Sequence, residues 1–363
     1  MKNWQQVYSS GQEESDVASG MQKVMPRAVK IPPWRQGQAA DIDGLPRKEG
    51  VVVGLFPGGV AVNVEGQELL CNLAGVFRPP PTSSALAVGD HVTVALTRAE
   101  HADAQGDDKL RSDGMILSRS ERKTALCRPQ PRSGKRRDQY ETQSFTKVIV
   151  ANMDVLLIVV AVRQPPMRAA LIDRAMIVAQ RGNLAPTLVV NKIDLDEPDE
   201  DILAEYSRLG MTIFRCSARA GEGVPALAAA LAGKSSVLAG ASGVGKSSLI
   251  NALVPGASVV TRAVRKSDQR GRHTTASASI YQLPGGGVIV DTPGVRELGM
   301  DMELSELPWY FPEFEPFAAT CKFNDCSHTH EPSCAVLAAV EEGKLPLARY
   351  ESYLRIFESV EQD

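Results

Sequence analysis

The chain has 363 residues, 43% of them apolar, and a net charge of −3, enough for two or three domains with a sizeable core. That balance excludes a global basic field, so a nucleic-acid partner would have to be met by local patches. Met1 to Ser10 holds no apolar leader stretch, and the longest strongly apolar run, Val155 to Val162, is too short for a bilayer. A cytoplasmic protein with no membrane partner is expected.

Residues 1–47 mix Gln, Ser, Gly, Pro and charge without periodicity and read as a mostly disordered arm. From 48 to 128 the texture is short strands. Val60, Val62 and Val64 alternate with Ala61 and Asn63, and Val92, Val94 and Leu96 alternate with His91, Thr93 and Ala95. Turn signals between such runs point to a small β-barrel of the OB type, a fold that commonly grips nucleic acid. A β-domain without a ligand is the alternative. Residues 129–147 form a basic linker with Arg132, Lys135, Arg136 and Arg137.

Between 148 and 303 strands and helices alternate. Val155–Val162, Thr187–Val190 and Thr212–Cys216 read as strands, Ala170–Arg181, Asp201–Leu209 and Val224–Leu231 as helices. Val237–Leu238 then leads to a glycine-rich loop, Ser248–Leu253 is helical, and Val288–Val290 is a strand. Such alternation predicts a mainly parallel sheet with ligand loops at its strand ends. From 304 to 363 a helical module is expected, with Tyr350, Tyr353, Leu354 and Phe357 at core-facing spacing.

Three constellations carry chemistry. Gly240-Ala241-Ser242-Gly243-Val244-Gly245-Lys246-Ser247 fits the phosphate-loop pattern and runs into Ser248. Its glycines let successive N–H groups face phosphate oxygens, Lys246 would reach the β- and γ-phosphates, and Ser247 would ligate Mg²⁺. Asp291-Thr292-Pro293-Gly294 ends a strand; Asp291 would hold Mg²⁺ through water and the Gly294 N–H would sense the γ-phosphate. Asn191-Lys192-Ile193-Asp194 supplies base reading. Asp194 can accept both N–H donors on guanine's Watson–Crick edge, where adenine would leave the charge unpaired. Asn191 would meet the base or brace neighbouring loops, Lys192 would lie along the ring, and Ser217-Ala218 would add a backbone N–H. These residues predict GTP binding and hydrolysis to GDP.

The order is inverted: the base-reading motifs precede the phosphate motifs, as in a circularly permuted sheet. Between Thr261 and Thr275 lies a basic loop ending in His273, Thr274 and Thr275. One threonine would complete the Mg²⁺ shell in the GTP state, and the basic residues would meet phosphate or stay solvated. Val295 stands where many GTPases place a water-orienting glutamine. It cannot hydrogen-bond water, so intrinsic turnover is expected to be slow, with a partner or His273 orienting the water. Cys321-x4-Cys326-x-His328-x5-Cys334 offers three thiolates and one imidazole, a closed structural zinc set, with His330 spare. Cys71, Cys127 and Cys216 stand isolated.

The permuted order, Gly271-Arg272-His273-Thr274-Thr275, Asp291 to Glu297 and Cys321 to Val336 together resemble the RsgA (YjeQ) family over about residues 48 to 360. The resemblance implies an N-terminal OB domain, a central permuted GTPase and a C-terminal zinc domain. It also implies GTP hydrolysis stimulated by the small ribosomal subunit and its rRNA, late in subunit maturation. A monomer is expected. The arm here carries Glu13, Glu14, Asp16, Asp41 and Asp43, where family members often carry basic residues.

Overall fold

The computed structural model describes residues 44–56, 58–79, 83–97, 112–128, 147–257, 278–292, 300 and 302–362. The arm up to residue 43, the linker from 129 to 146, the loop with His273, Thr274 and Thr275, and the stretch with Gly294 and Val295 lie outside the described residues.

The alternating valines close a barrel. Strands β1 (Arg47–Phe56), β2 (Gly59–Val64), β3 (Gln67–Leu73), β4 (His91–Leu96) and β5 (Gly114–Arg119) form a closed sheet in the order β1-β2-β3-β5-β4. β3 and β5 run parallel and the other neighbours antiparallel, which is the OB-type barrel that the strand pattern predicted. Val52, Val62, Val64, Val92, Val94 and Ile116 share its interior, one face of a period-two pattern.

An antiparallel pair, β6 (Ala125–Arg128) and β7 (Lys147–Ala151), seats the barrel on the next domain. The Ala151 N–H donates to the Val88 carbonyl at 2.8 Å. Asn152 Nδ2 donates to the Gly89 carbonyl at 2.9 Å. Asp90, wholly buried, takes a two-pronged bond from Arg122 at 2.7 and 2.8 Å. Removing either partner would strand a buried charge, so the joint is strongly specified.

The central sheet contains β8 (Val155–Ala161), β9 (Ala185–Asn191), β10 (Thr212–Arg215), β11 (Ser235–Ala239), β12 (Ser279–Gln282) and β13 (Val288–Asp291). Their order is β10-β9-β8-β11-β13-β12. All neighbours are parallel except β12 against β13. Every residue of β8 is buried, as an unbroken apolar run requires of a strand covered on both faces. Helix α1 (Ala169–Arg181) presents Ile172, Ala175, Met176 and Ala179 to the core. Helix α2 (Glu200–Arg208) starts where the Asp199 side chain accepts the Ile202 N–H. Helices α3 (Val224–Leu231) and α4 (Lys246–Leu253) follow. The chain runs outward from β8 to β9 and β10 on one side, then returns to β11 on the other. Loops leaving β8, β9 and β11 therefore meet at the point where strand order reverses, the usual seat of a ligand in such sheets.

The C-terminal module holds two 3₁₀ turns (Leu304–Tyr310 and Pro312–Phe314) and helices α5 (Glu315–Ala318), α6 (Ala335–Glu341) and α7 (Leu347–Gln362). Tyr350 and Tyr353 are buried. The Tyr353 ring lies 5.2 Å from Phe311 and 5.0 Å from Phe314, so the aromatics build a core, as their helical spacing predicted. That core is continuous with Leu156, Ile172 and Met176 of the central domain.

A buried polar knot crosses the same boundary. Asp173 of α1 accepts from Arg349 Nη1 and Ser352 Oγ of α7, and from the Tyr206 hydroxyl at 3.0 Å. Arg349 Nε donates to Glu313 at 2.6 Å. Burial pushes the Asp173 carboxyl up, against the opposing pull of Arg349. Among the described residues, no helix is long and apolar enough to cross a membrane.

Candidate active site and metal centre

The phosphate-type loop leaves β11 through Gly240 (φ +147°) and turns into α4 through Gly245 (φ +98°). Both are left-handed or wider conformations that only glycine adopts without strain. Space forbids a side chain as well. A Cβ on Gly240 would stand 2.3 Å from the Val159 carbonyl, and one on Gly245 would stand 2.3 Å from Asn191 Nδ2. Ala241, Ser242 and Gly243 form the outer arc, Val244 is buried under it, and Ser247 and Ser248 lie half-buried in the first helical turn. Lys246 Nζ donates to the carbonyls of Gly240 at 2.7 Å and Ala241 at 2.9 Å, which sets the ammonium across the mouth of the loop.

Asn191 ends β9 and ties three loops. Its Nδ2 donates to the Val244 carbonyl at 2.9 Å, and its Oδ1 accepts the Ala218 N–H at 3.0 Å. Of the two roles open to it in the sequence, bracing is the one seen. Of the Ser217-Ala218 pair, expected to offer the base a backbone N–H, the Ser217 N–H here donates to the Glu222 carbonyl at 2.9 Å and the Ala218 N–H to Asn191. Asp194 is exposed, and its Oδ1 accepts the Ser217 hydroxyl at 2.6 Å. Ser217 Oγ accepts the Ala220 N–H at 3.0 Å, so one hydroxyl fixes both the carboxylate and its own turn. Lys192 Nζ donates to the Gln164 carbonyl, a partner that no sequence motif pointed to.

Asp291 stands at the end of β13, one residue beyond Val290, which pairs with Val237 of β11. The register sets its carboxylate on the edge that carries the phosphate-type loop. Thr292 beside it is buried, and its hydroxyl has no hydrogen-bond partner among the described residues. The sheet thus brings together Asn191, Lys192, Asp194, Ser217, Ala218, Gly240 to Ser248 and Asp291.

In the C-terminal module Cys321, Cys326, His328 and Cys334 offer four ligand atoms that all lie within 4.8 Å of one another. Cys321 Sγ is 3.6 Å and Cys334 Sγ 3.4 Å from His328 Nδ1, and the two sulfurs are 3.9 Å apart. His330 points elsewhere, with Nδ1 at 2.8 Å from the Thr329 hydroxyl. His328 sits at φ +57°, a strained posture held from outside. The Tyr350 hydroxyl donates to the His328 carbonyl at 2.8 Å, and the Tyr353 hydroxyl donates to the Ser327 carbonyl. Glu331 accepts the N–H groups of Ser327, Thr329 and His330. Burial pushes its carboxyl up, but the Ser327 bonds and its neighbours' N–H groups outweigh that and hold it at about 2, against an ordinary 4.5. Its grip on the turn is therefore present above pH 4.5 and is lost as pH falls towards 2.

The sequence model of the RsgA GTPase family matches residues 119–301. A protein named small ribosomal subunit biogenesis GTPase RsgA, from Gemmatimonas aurantiaca, is 40% identical over 276 residues, covering 75% of this chain and 83% of that one. A namesake from Chlorobaculum tepidum is 38% identical over 302 residues, covering 82% and 92%. Among solved structures, YjeQ from Thermotoga maritima is 33% identical and superposes with a TM-score of 0.63 over 87% of this chain and 99% of that one. YloQ, described as a circularly permuted GTPase, is 25% identical with a TM-score of 0.60 over 87% and 96%.

Proposed function

The chain belongs to the RsgA family of GTPases, and on that premise we propose that it is a cytoplasmic, monomeric enzyme that hydrolyses GTP on the small ribosomal subunit during late maturation. The observation that carries this is the Asn191 tie, because it joins a base-reading loop and a phosphate loop on one sheet edge. Asp194 reads guanine, Lys192 lies along the ring, and the N–H groups of Gly240 to Ser248 with Lys246 hold the phosphates. Ser247, in the first turn of α4 after β11, and Asp291, at the end of the neighbouring strand β13, are half-buried oxygen donors, a set that suits Mg²⁺. The ion, when bound, neutralises charge on the phosphates. Gly245→Ala is expected to lower GDP affinity at least ~tenfold through strain and the collision with Asn191. Titration with a fluorescent GDP analogue measures it, and unchanged affinity would show that the loop tolerates a Cβ.

Turnover alone is expected to be slow, since Val295 offers water no hydrogen bond. His273 is the in-chain group assigned to orient the water, with Thr274 or Thr275 completing the Mg²⁺ shell and the Gly294 N–H sensing the γ-phosphate. The rRNA of the subunit supplies the remaining order. The test is co-sedimentation with small subunits in a non-hydrolysable GTP analogue against GDP, together with multiple-turnover phosphate release. Pelleting with the analogue and a clear rise in turnover are expected; no pelleting in either nucleotide sinks the ribosomal assignment.

The cysteine cluster is assigned to structural zinc. Zn–S near ~2.3 Å and Zn–N near ~2.05 Å at tetrahedral angles require S···S of ~3.8 Å and S···N of ~3.6 Å. The separations among Cys321, His328 and Cys334, 3.9, 3.6 and 3.4 Å, lie close to those values, and Cys326 Sγ is within 4.8 Å of the other three ligand atoms. Four protein ligands leave no position for a reactive water, so the ion supplies folding energy.

A further inference from the structure

The loop that leaves β8, Arg163-Gln164-Pro165-Pro166, belongs to none of the sequence motifs, yet it touches the base loop and faces the phosphate loop. Arg163 Nε pairs with Asp196 Oδ2 at 3.1 Å. The Gln164 carbonyl accepts from Lys192 Nζ. Among the described residues, a Cβ on Gly243 would meet a single neighbour within 4 Å, Pro165 Cδ at 3.7 Å, so the Pro165 ring stands opposite the phosphate loop. Gln164 is at φ +54°, a left-handed conformation uncommon for a residue with a side chain. Lys192 is also left-handed, at φ +67°. These two local distortions aim one carbonyl at one ammonium.

We infer that the Gln164 backbone is a positioning element of the guanine pocket: its carbonyl anchors Lys192 Nζ and so fixes the course of the lysine stem along the face of the base. The inference rests on the nucleotide reading above and adds to it a residue outside the recognition motifs. A lysine stem is long and loses much rotamer freedom on binding. Anchoring its tip beforehand removes that cost from nucleotide association, the ordinary benefit of preorganisation. The anchor is a main-chain oxygen, so the side chain at 164 matters only through the backbone conformation that it permits. The Gln164 side chain is itself exposed.

This makes two substitutions at one position behave oppositely. Glycine adopts φ > 0 freely, whereas a β-branched residue is driven out of that region. Gln164→Gly is expected to bind GDP as the unsubstituted chain does. Gln164→Val is expected to bind it roughly tenfold to a hundredfold more weakly, the range of one charge-assisted bond, through faster dissociation. Its turnover number at saturating GTP should be unchanged. Lys192→Met, which keeps the stem and removes the ammonium, should lose affinity to a like degree, and Gln164→Val added to it should cost nothing more. Melting temperatures are recorded for each, and the non-additivity in the Lys192→Met background decides the matter if Gln164→Val melts early. Gln164→Val binding at full affinity overturns the inference, as does a loss in Gln164→Gly equal to that in Gln164→Val. An unsubstituted chain that fails to bind GDP, or a Lys192→Met chain that binds unchanged, overturns the base-loop reading as well.

Discussion

An Asp194→Asn chain is expected to lose guanine nucleotide affinity by about two to four orders of magnitude and to accept xanthine nucleotides in exchange. The size follows from two hydrogen bonds to a charged acceptor at roughly 1.5–3 kcal/mol each. The direction follows from Ser217. Its hydroxyl donates to Asp194 Oδ1 at 2.6 Å, so an asparagine would keep its oxygen on that side and turn its NH₂ towards the base. That NH₂ meets the 2-amino group of guanine donor to donor. The 2-oxo group of xanthine offers it an acceptor, while the single amide oxygen, held by Ser217 through one lone pair, still accepts N1–H through the other. Competition of GDP and XDP for the site measures the exchange. A variant that still chooses GDP would remove Asp194 from base recognition.

The second large effect is expected at Cys334→Ser. Structural zinc contributes about 10–16 kcal/mol to the folding of small domains, as much as the whole stability of an ordinary one. Cys334 is buried at the head of α6, and the Cys321 sulfur also accepts the Ala335 N–H at 3.4 Å, so the cluster fastens that helix as well as the ion. The variant should fall from one equivalent of zinc per chain to none, and its melting temperature should drop by ~10 °C or more. The loss should reach the nucleotide domain, because the aromatic core of the module and the buried face of α1 are one cluster. Elemental analysis and calorimetry check both parts; full zinc content would show that three ligands suffice.

Much of this was legible in the chain. Period-two valines gave the barrel, and the unbroken apolar run at Val155 gave the central strand, because both patterns report burial directly. The motif residues could be assigned to loops because each follows an apolar run. What could not be read is what touches across distance. Nothing in the sequence links Asp173 with Arg349, 176 positions apart, since a lone charge in a helix reads as solvated. The same blindness hid the Gln164 carbonyl: backbone groups carry no sequence signal, and a left-handed glutamine has no pattern. β12 and the β6–β7 pair were missed because four- and five-residue strands are too short to show a period. Asn191 could be narrowed to two roles, and only the position of Val244 beside it showed which of them the folded chain uses.

The shared core between α1 and the C-terminal module has a consequence for how the protein comes into being. A chain is synthesised from its N-terminus, and domains generally fold as they emerge. Here β8 and α1 emerge early, but helix α7, which packs against α1, and the arginine that answers Asp173 arrive only with residues 304–362. Until then the side of α1 that α7 covers stays open, with the Asp173 carboxylate on it lacking Arg349 and Ser352. The nucleotide domain therefore reaches its finished form only after the segment that closes it has been made. A truncation after residue 303 should yield an aggregating fragment, and the C-terminal module is in this sense the keystone of the enzyme.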